Sequence, residues 1–347
     1  MRAPHVDERI EILDPSGPGD ARRRAVTLAE ERGADEETVG RVAIITTELA
    51  QNLVKYAVGG EILLRAAPGG SLEVLALDRG PGMRSPERAL QDGFSTSGTR
   101  GTGLGGVLRL STAFDLHSLP GVGSAIWASV ALPAAQGAGG PTSKVDFGSV
   151  CRPVAGETAC GDGWARACLS DGSTRLLLVD GLGHGEPAAE ATRVALEIFS
   201  QSFEAEPAEL VETIHRALRS TRGAALGLAT LPPPGGTRMD FTGVGNVAGA
   251  VLPPDAPDKG RGLASHNGTA GYRAPRIATL DYPWPEGALL ILHTDGLRSR
   301  YPLERYPGLM RRHPSVIAGI LYRDFARGRD DVGVLVTREA RTAEARP

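Results

Sequence analysis

The chain has 347 residues, 41% of them hydrophobic, enough for two domains of ordinary size, each with its own core. A net charge of −3 leaves no electrostatic footprint for nucleic acid or an anionic membrane, and no apolar run approaches the ~20 residues of a membrane span. The opening MRAPHVDERIEI reads as too charged for a secretory signal. Cys151, Cys160 and Cys168 form no CxxC pair and suit reduced thiols better than a disulfide framework or a zinc site, so a cytoplasmic location is expected.

In chain order, Arg9–Leu13 is a short strand candidate. Asp20–Arg32 and Asp35–Tyr56 follow as helices, the second with an apolar stripe of Val39, Val42, Ile45, Leu49 and Leu53. Strands Glu61–Ala66 and Ser71–Asp78 are joined by a PGG turn. A Gly/Ser/Thr-rich stretch, 80–103, precedes a helix over 104–112, and strands Phe114–Ser118 and Ser124–Leu132 finish this part. The pattern is α+β, with helices on one face of a mostly antiparallel sheet. PAAQGAGGPTSK (133–144) reads as a flexible linker, dividing the chain into domains over 5–132 and 145–338. Beyond it, strands are expected at Thr174–Val179, Gly223–Leu231, Gly243–Leu252, Ala288–His293 and Val332–Thr337. Helices are expected at Glu186–Glu204, Pro207–Thr221 and His313–Gly328. Many strands with few helices suggest two sheets packed face to face and flanked by helices.

Three segments of the first half carry chemistry. In TELAQNLVKYA (47–57), Glu48 and Asn52 share a helix face one turn apart. An amide oxygen there can ligate Mg²⁺ and a carboxylate can accept a proton from an attacking hydroxyl; a solvated helix face also fits. In LEVLALDRGPGM (72–83), a strand ends in Asp78, which can accept the exocyclic amine of adenine. Gly80 and Gly82 let backbone pass close to a base, though ordinary turns look the same. In QDGFSTSGTRGTGLGGVLRL (91–110), glycines lead into a helix whose first amides can cradle phosphates.

In this order and spacing, the segments resemble the GHKL ATPases, and among them the anti-sigma-factor kinases of the RsbT type. The resemblance implies a Bergerat α/β sandwich over 5–132. It implies ATP and Mg²⁺ as cofactors, with Glu48 as base, Asn52 as Mg²⁺ ligand and Asp78 as adenine acceptor. Gly80, Gly82, Gly101, Thr102, Gly103, Leu104 and Gly105 become nucleotide contacts, and Gly93–Gly103 a moving lid. A sensor histidine kinase would need a phosphoacceptor His on a dimerisation helix ahead of this domain; only His5 precedes it.

In the second half Asp162 lies in ETACGDGWA, Asp180 opens DGLGHG at the end of an apolar strand, Asp295 ends LLILHTDG, and Asp330 and Asp331 sit in RDDVGVLV. Carboxylates gathered at strand ends repel unless cations lie between them, and oxygen-only ligands favour Mg²⁺ or Mn²⁺. Two such ions can activate a water for in-line attack on phosphorus. Each Asp-Gly is also a plain strand-ending turn. With GVGNVAGAV (243–251) and HNGTAGY (266–272), the set resembles the metal-dependent PPM phosphatases of the SpoIIE-like, RsbX-like branch. That likeness implies a PPM β-sandwich flanked by helices. It implies Asp162, Asp180, Asp295 and Asp330 as ligands of a Mn²⁺ or Mg²⁺ pair, with Gly181 through its carbonyl. Cys160 and Gly333 depart from the usual Gly and Thr. No phosphate-binding Arg is identifiable. His184 reads as structural at a helix start, Asn246 as a turn former beside the site, and His293 as a packed core residue.

The two resemblances together imply a bifunctional regulator of a bacterial partner-switching stress pathway, a serine/threonine kinase joined to a phosphoserine/phosphothreonine phosphatase. The implied substrates are STAS-domain antagonist phosphoproteins, with a further phosphatase or sigma-factor regulator as another partner, and neither nucleic acid nor membrane. The alternatives are a phosphatase whose ATP domain only senses nucleotide or docks a partner, and a non-catalytic partner-switching adaptor.

Overall fold

The computed structural model describes residues 6–57, 59–67, 70–90, 103–132 and 145–340. The chain forms two compact units, one within Asp7–Ala138 and one within Gly139–Pro347. The expected linker, 133–144, lies outside the described residues.

The first unit runs β1 (Glu8–Ile12), α1 (Gly17–Glu31), α2 (Glu36–Tyr56), β2 (Gly60–Ala67), β3 (Ser71–Asp78), α3 (Pro86–Ala89), α4 (Gly103–Leu110), β4 (Ala113–Leu119) and β5 (Gly123–Ala131). Its antiparallel sheet has the order β1-β2-β3-β5-β4. Asp35 caps α2 by accepting the Thr38 N–H at 2.8 Å. The stripe Val42, Ile45, Leu49 and Leu53 then turns inward onto Ile62, Leu72, Val74 and Ile126 of the sheet. Helix α1 begins three residues before the expected Asp20, because Pro18 suits a first turn whose amides have no intrahelical acceptor. Its buried residues after Pro18 are Ala21, Ala25 and Ala29, small side chains one turn apart, so it packs close.

The second unit runs β6 (Val145–Arg152), β7 (Asp162–Cys168), β8 (Thr174–Gly181), α5 (Glu186–Ser202), α6 (Pro207–Ala217), β9 (Ala224–Leu231), β10 (Arg238–Val244), β11 (Ala248–Leu252), β12 (Arg261–Leu263), β13 (Leu280–Pro283), β14 (Leu289–His293), α7 (Pro314–Phe325) and β15 (Val332–Glu339). Two antiparallel sheets, β13-β10-β9-β8-β7 and β12-β11-β14-β15-β6, share a core containing Trp164, Leu176, Leu178, Phe241, Leu290, Leu292 and Leu335. Helices α5 and α6 bury Phe199, Leu210 and Ile214 on the outer face of the first sheet, against Leu177, Val179 and Leu226. Helix α7 lies on β6 and β15 of the second. All three cysteines are free thiols.

Two expectations fail here, each for a local reason. The single strand over Gly243–Leu252 is two strands in different sheets, β10 and β11. Gly245 between them takes φ +89°, and a Cβ there would meet that of Ala225 at 2.5 Å. The helix expected to reach Gly328 stops at Phe325, where Ala326 turns extended (φ −60°, ψ 140°) and pairs with Leu297.

Candidate functional site

In the first unit Glu48 and Asn52 are half-buried on α2, beside rather than within its buried stripe. Asp78 closes β3, and its carboxylate accepts the Gly80 N–H at 2.7 Å, which shapes the turn. A Cβ on Gly80 would stand 2.7 Å from Tyr56 O, so this glycine lets the end of β3 close on the end of α2. Gly82 takes φ +66°, and its Cβ would fall 2.2 Å from Leu119 O in the β4–β5 hairpin. The close approaches of both glycines are therefore to protein backbone, and that of Gly80 brings Asp78 to the end of the helix that carries Glu48 and Asn52. Gly103 opens α4 at φ +32°, followed by buried Leu104 and Gly105. Arg41 donates to Leu110 O through Nε (2.8 Å) and Nη2 (2.6 Å), which ties the end of α4 to α2. Gly101, Thr102 and the lid before Gly103 lie outside the described residues.

In the second unit, β7 and β8 pair with Asp162 directly opposite Asp180. Like charges at such a position repel. Asp162 is 2% exposed, and burial, then the Asp180 charge, raises its carboxyl well above the ordinary carboxylate range. Asp180 is pushed up to about 7, by burial first and then by Asp295 and Asp330. Backbone and side-chain donors hold the group in place. Gly333 N–H donates to Thr294 Oγ1 (2.9 Å), whose hydroxyl donates to Asp162 Oδ2 (2.7 Å). Asn246 Nδ2 donates to Asp295 Oδ2 at 2.7 Å. The adjacent acids Asp330 and Asp331 divide their work. Asp331 is 2% exposed and accepts the N–H groups of Val154 and Gly161, pinning the loop before Asp162. Asp330 is half-buried and lines a cleft with Asp295.

Residues 14–130 match the histidine kinase-like ATPase domain family, and residues 170–338 match stage II sporulation protein E (SpoIIE). Over 111 residues the chain is 39% identical to serine/threonine-protein kinase RsbT of Bacillus subtilis (strain 168), covering 31% of this chain and 84% of that protein. The chain belongs to the histidine kinase-like ATPase family. It is also similar to a solved structure described as belonging to the bacterial stressosome, with 27% identity and a TM-score of 0.51 over 56% of this chain and 100% of that one. A structure of RsbX in complex with magnesium is 17% identical, with a TM-score of 0.48 over 57% of this chain and 96% of that one.

The chain thus joins an RsbT-like ATPase domain to a domain that matches SpoIIE, the α+β pairing that its motifs imply. No helix among the described residues is long and apolar enough to cross a membrane. The SpoIIE domain fits divalent cations. Its donor set is anionic oxygen, and the buried Asp162 and half-buried Asp180 carboxylates stand opposite each other across two strands, each charge opposing the other. Among the described residues, no three acidic, His or Cys side chains are gathered into a closed metal-binding group. Repulsion spreads such carboxylates, and Mg²⁺ in any case keeps several waters.

Asn246, read from the sequence as a turn former beside the site, and Thr294 are supports whose partners, Asp295 and Asp162, the motifs did not disclose. Asn246 precedes β11 by two residues and Asp295 follows β14 by two, so the Ala248↔His293 register sets them face to face. His184 is exposed and tied to Glu157 at 2.8 Å. His293 is 3% exposed, packed edge-on against Tyr301, and burial lowers its pKa. Gly181 is buried beneath α5: a Cβ there would lie 2.3 Å from Ala188 O. Gly181→Ala is therefore expected to push α5 off β8, destabilising the SpoIIE domain by roughly 1–3 kcal/mol. A thermal melt that matches wild type would show that the helix is not held so closely.

Proposed function

We propose that this chain is a bifunctional regulator of a partner-switching pathway. Its ATPase domain phosphorylates a serine or threonine of a STAS-domain protein, and its SpoIIE domain removes such phosphates. The observation that carries the phosphatase half is the pairing of buried Asp162 with half-buried Asp180 across β7 and β8, with Asp295 and Asp330 acting on Asp180. Uncompensated charge of this density is costly to a fold and useful to a metal site. Asp162, Asp180, Asp295, Asp330 and the Gly181 carbonyl would hold Mg²⁺ or Mn²⁺. When bound, such ions supply Lewis acidity toward the phosphoryl group and activate the attacking water. Thr294 and Asn246 keep the carboxylates of Asp162 and Asp295 aimed, and Asp331 keeps the preceding loop in place.

The likeness to RsbT supports the kinase half. There Asn52 would ligate the Mg²⁺ of ATP, Asp78 would receive adenine, and Glu48 would accept the proton of the attacking hydroxyl. Covalent joining gives each activity a raised effective concentration around a substrate held by the other. The test incubates full-length protein with a STAS protein encoded beside it, ATP and Mn²⁺, and reads intact mass. Asp180→Asn should accumulate more phosphorylated partner than wild type, and Glu48→Gln none. Equal phosphorylation in all three proteins would mean that the two domains do not oppose each other on that partner.

A further inference from the structure

The cleft in front of Asp295 and Asp330, about 400 Å³ in volume, has three further lining residues: Arg298, Arg327 and Arg329. They come from two separate segments that the fold forces together. Leu297 pairs with Ala326, Arg298 N–H donates to Phe325 O at 2.9 Å, and Arg327 N–H donates to Gly296 O at 2.8 Å. Arg298 and Arg327 thus sit on the rungs either side of one bridge, where strand alternation sends their side chains to the same side. Gly328, at φ +67°, turns the chain so that Arg329 reaches the same cleft. This arrangement depends on α7 ending at Phe325, since a helix continued to Gly328 would carry Arg327 away from Gly296.

Surface arginines are ordinarily just solvated. Here all three are exposed, and among the described residues none of their guanidinium groups pairs with a carboxylate, although Asp295 and Asp330 line the same cleft. The carboxylate side and the guanidinium side both remain available to a ligand. With divalent cations on the carboxylates, the charge left over is that of three guanidiniums, whose planar donors match the oxygens of a phosphomonoester dianion.

We propose that Arg298, Arg327 and Arg329 form the phosphoryl-binding rim of the SpoIIE site, gripping the non-reacting oxygens of the substrate phosphate. This rests on the phosphatase reading above, and it fills the role for which the linear sequence offers no arginine. The test uses the full chain with Mg²⁺ or Mn²⁺ and two readouts: calorimetric titration with inorganic phosphate, and kcat and KM for an aryl phosphate. In Arg298→Ala/Arg327→Ala, phosphate affinity should fall and KM rise by about tenfold or more, with kcat changed far less. Lysine at both positions should restore part of the loss, and an unchanged melting temperature should exclude misfolding. Wild-type affinity and KM in the double variant would overturn the proposal, as would a loss confined to kcat, or a wild-type chain that takes up no phosphate in either assay. If wild type hydrolyses no phosphomonoester but binds phosphate through these arginines, the phosphatase reading fails and the rim stands. If it hydrolyses normally and the variants behave alike, the rim fails and the phosphatase reading stands.

Discussion

Glu48→Gln is expected to bind ATP as wild type does and to lose phosphotransfer by about 10²–10⁴-fold, the usual contribution of a general base. The expectation comes from where the residues sit. Glu48 is half-buried on α2, one turn before Asn52, whereas Asp78 stands at the end of a different element, β3. Removing the Glu48 charge keeps the shape of the side chain and leaves Asp78 untouched. Asp78→Asn should do the opposite and weaken ATP binding. Its amide oxygen can still accept the Gly80 N–H, so the turn survives while the acceptor for adenine loses its charge. A fluorescent-nucleotide titration and a phosphotransfer assay on one verified substrate separate the two effects. Equal phosphotransfer rates in Glu48→Gln and wild type would remove Glu48 from the mechanism.

Asp180→Asn is expected to abolish divalent-dependent hydrolysis of an aryl phosphate while making the metal-free protein more stable at pH 8. The two effects share one cause. In the folded chain the Asp180 carboxyl is pushed up to about 7, by burial first and then by Asp295 and Asp330. In the unfolded chain it returns to the ordinary carboxylate value of 3.8. A folded value above the unfolded one means that the stabilisation belongs to the protonated form. It is complete below about pH 4, declines as pH rises, and is gone above about pH 7, a swing of roughly 4 kcal/mol at 1.36 kcal/mol per unit. The metal-free wild type should therefore melt at a lower temperature at pH 8 than at pH 5, and Mg²⁺ or Mn²⁺ should recover the difference. Asparagine at 180 has no charge to bury, so its melting temperature should change less with pH and respond weakly to metal. Melting curves that rise from pH 5 to pH 8 without metal would contradict this account, and hydrolysis by Asp180→Asn at the wild-type rate would remove Asp180 from the site.

The sequence by itself determined the elements and the candidate chemistry wherever the signal is local. The stripe of α2 places Glu48 and Asn52 beside the buried face, because helical period alone decides which residues share a face. Asp78, Asp180 and Asp295 lie at or just beyond the ends of apolar strands, a position readable from a single segment. Tertiary structure decided whatever depends on residues distant in the chain. That β10 and β11 belong to different sheets follows from the crowding of Gly245 against Ala225, which no periodicity records. Asn246 supports Asp295 only because β11 and β14 pair in one register, and Thr294 reaches Asp162 across 132 positions. Asp330 and Asp331 are equivalent in the linear sequence. They separate in the turn that leads into β15, where Asp331 meets the Val154 and Gly161 amides and Asp330 is left in the cleft. Arg298 and Arg327 become neighbours through a single bridge at the end of α7, where a helix yielded to an extended turn. Local patterns reflect the backbone's own periods, whereas these pairings reflect the one packing arrangement that buries both sheets' apolar faces at once.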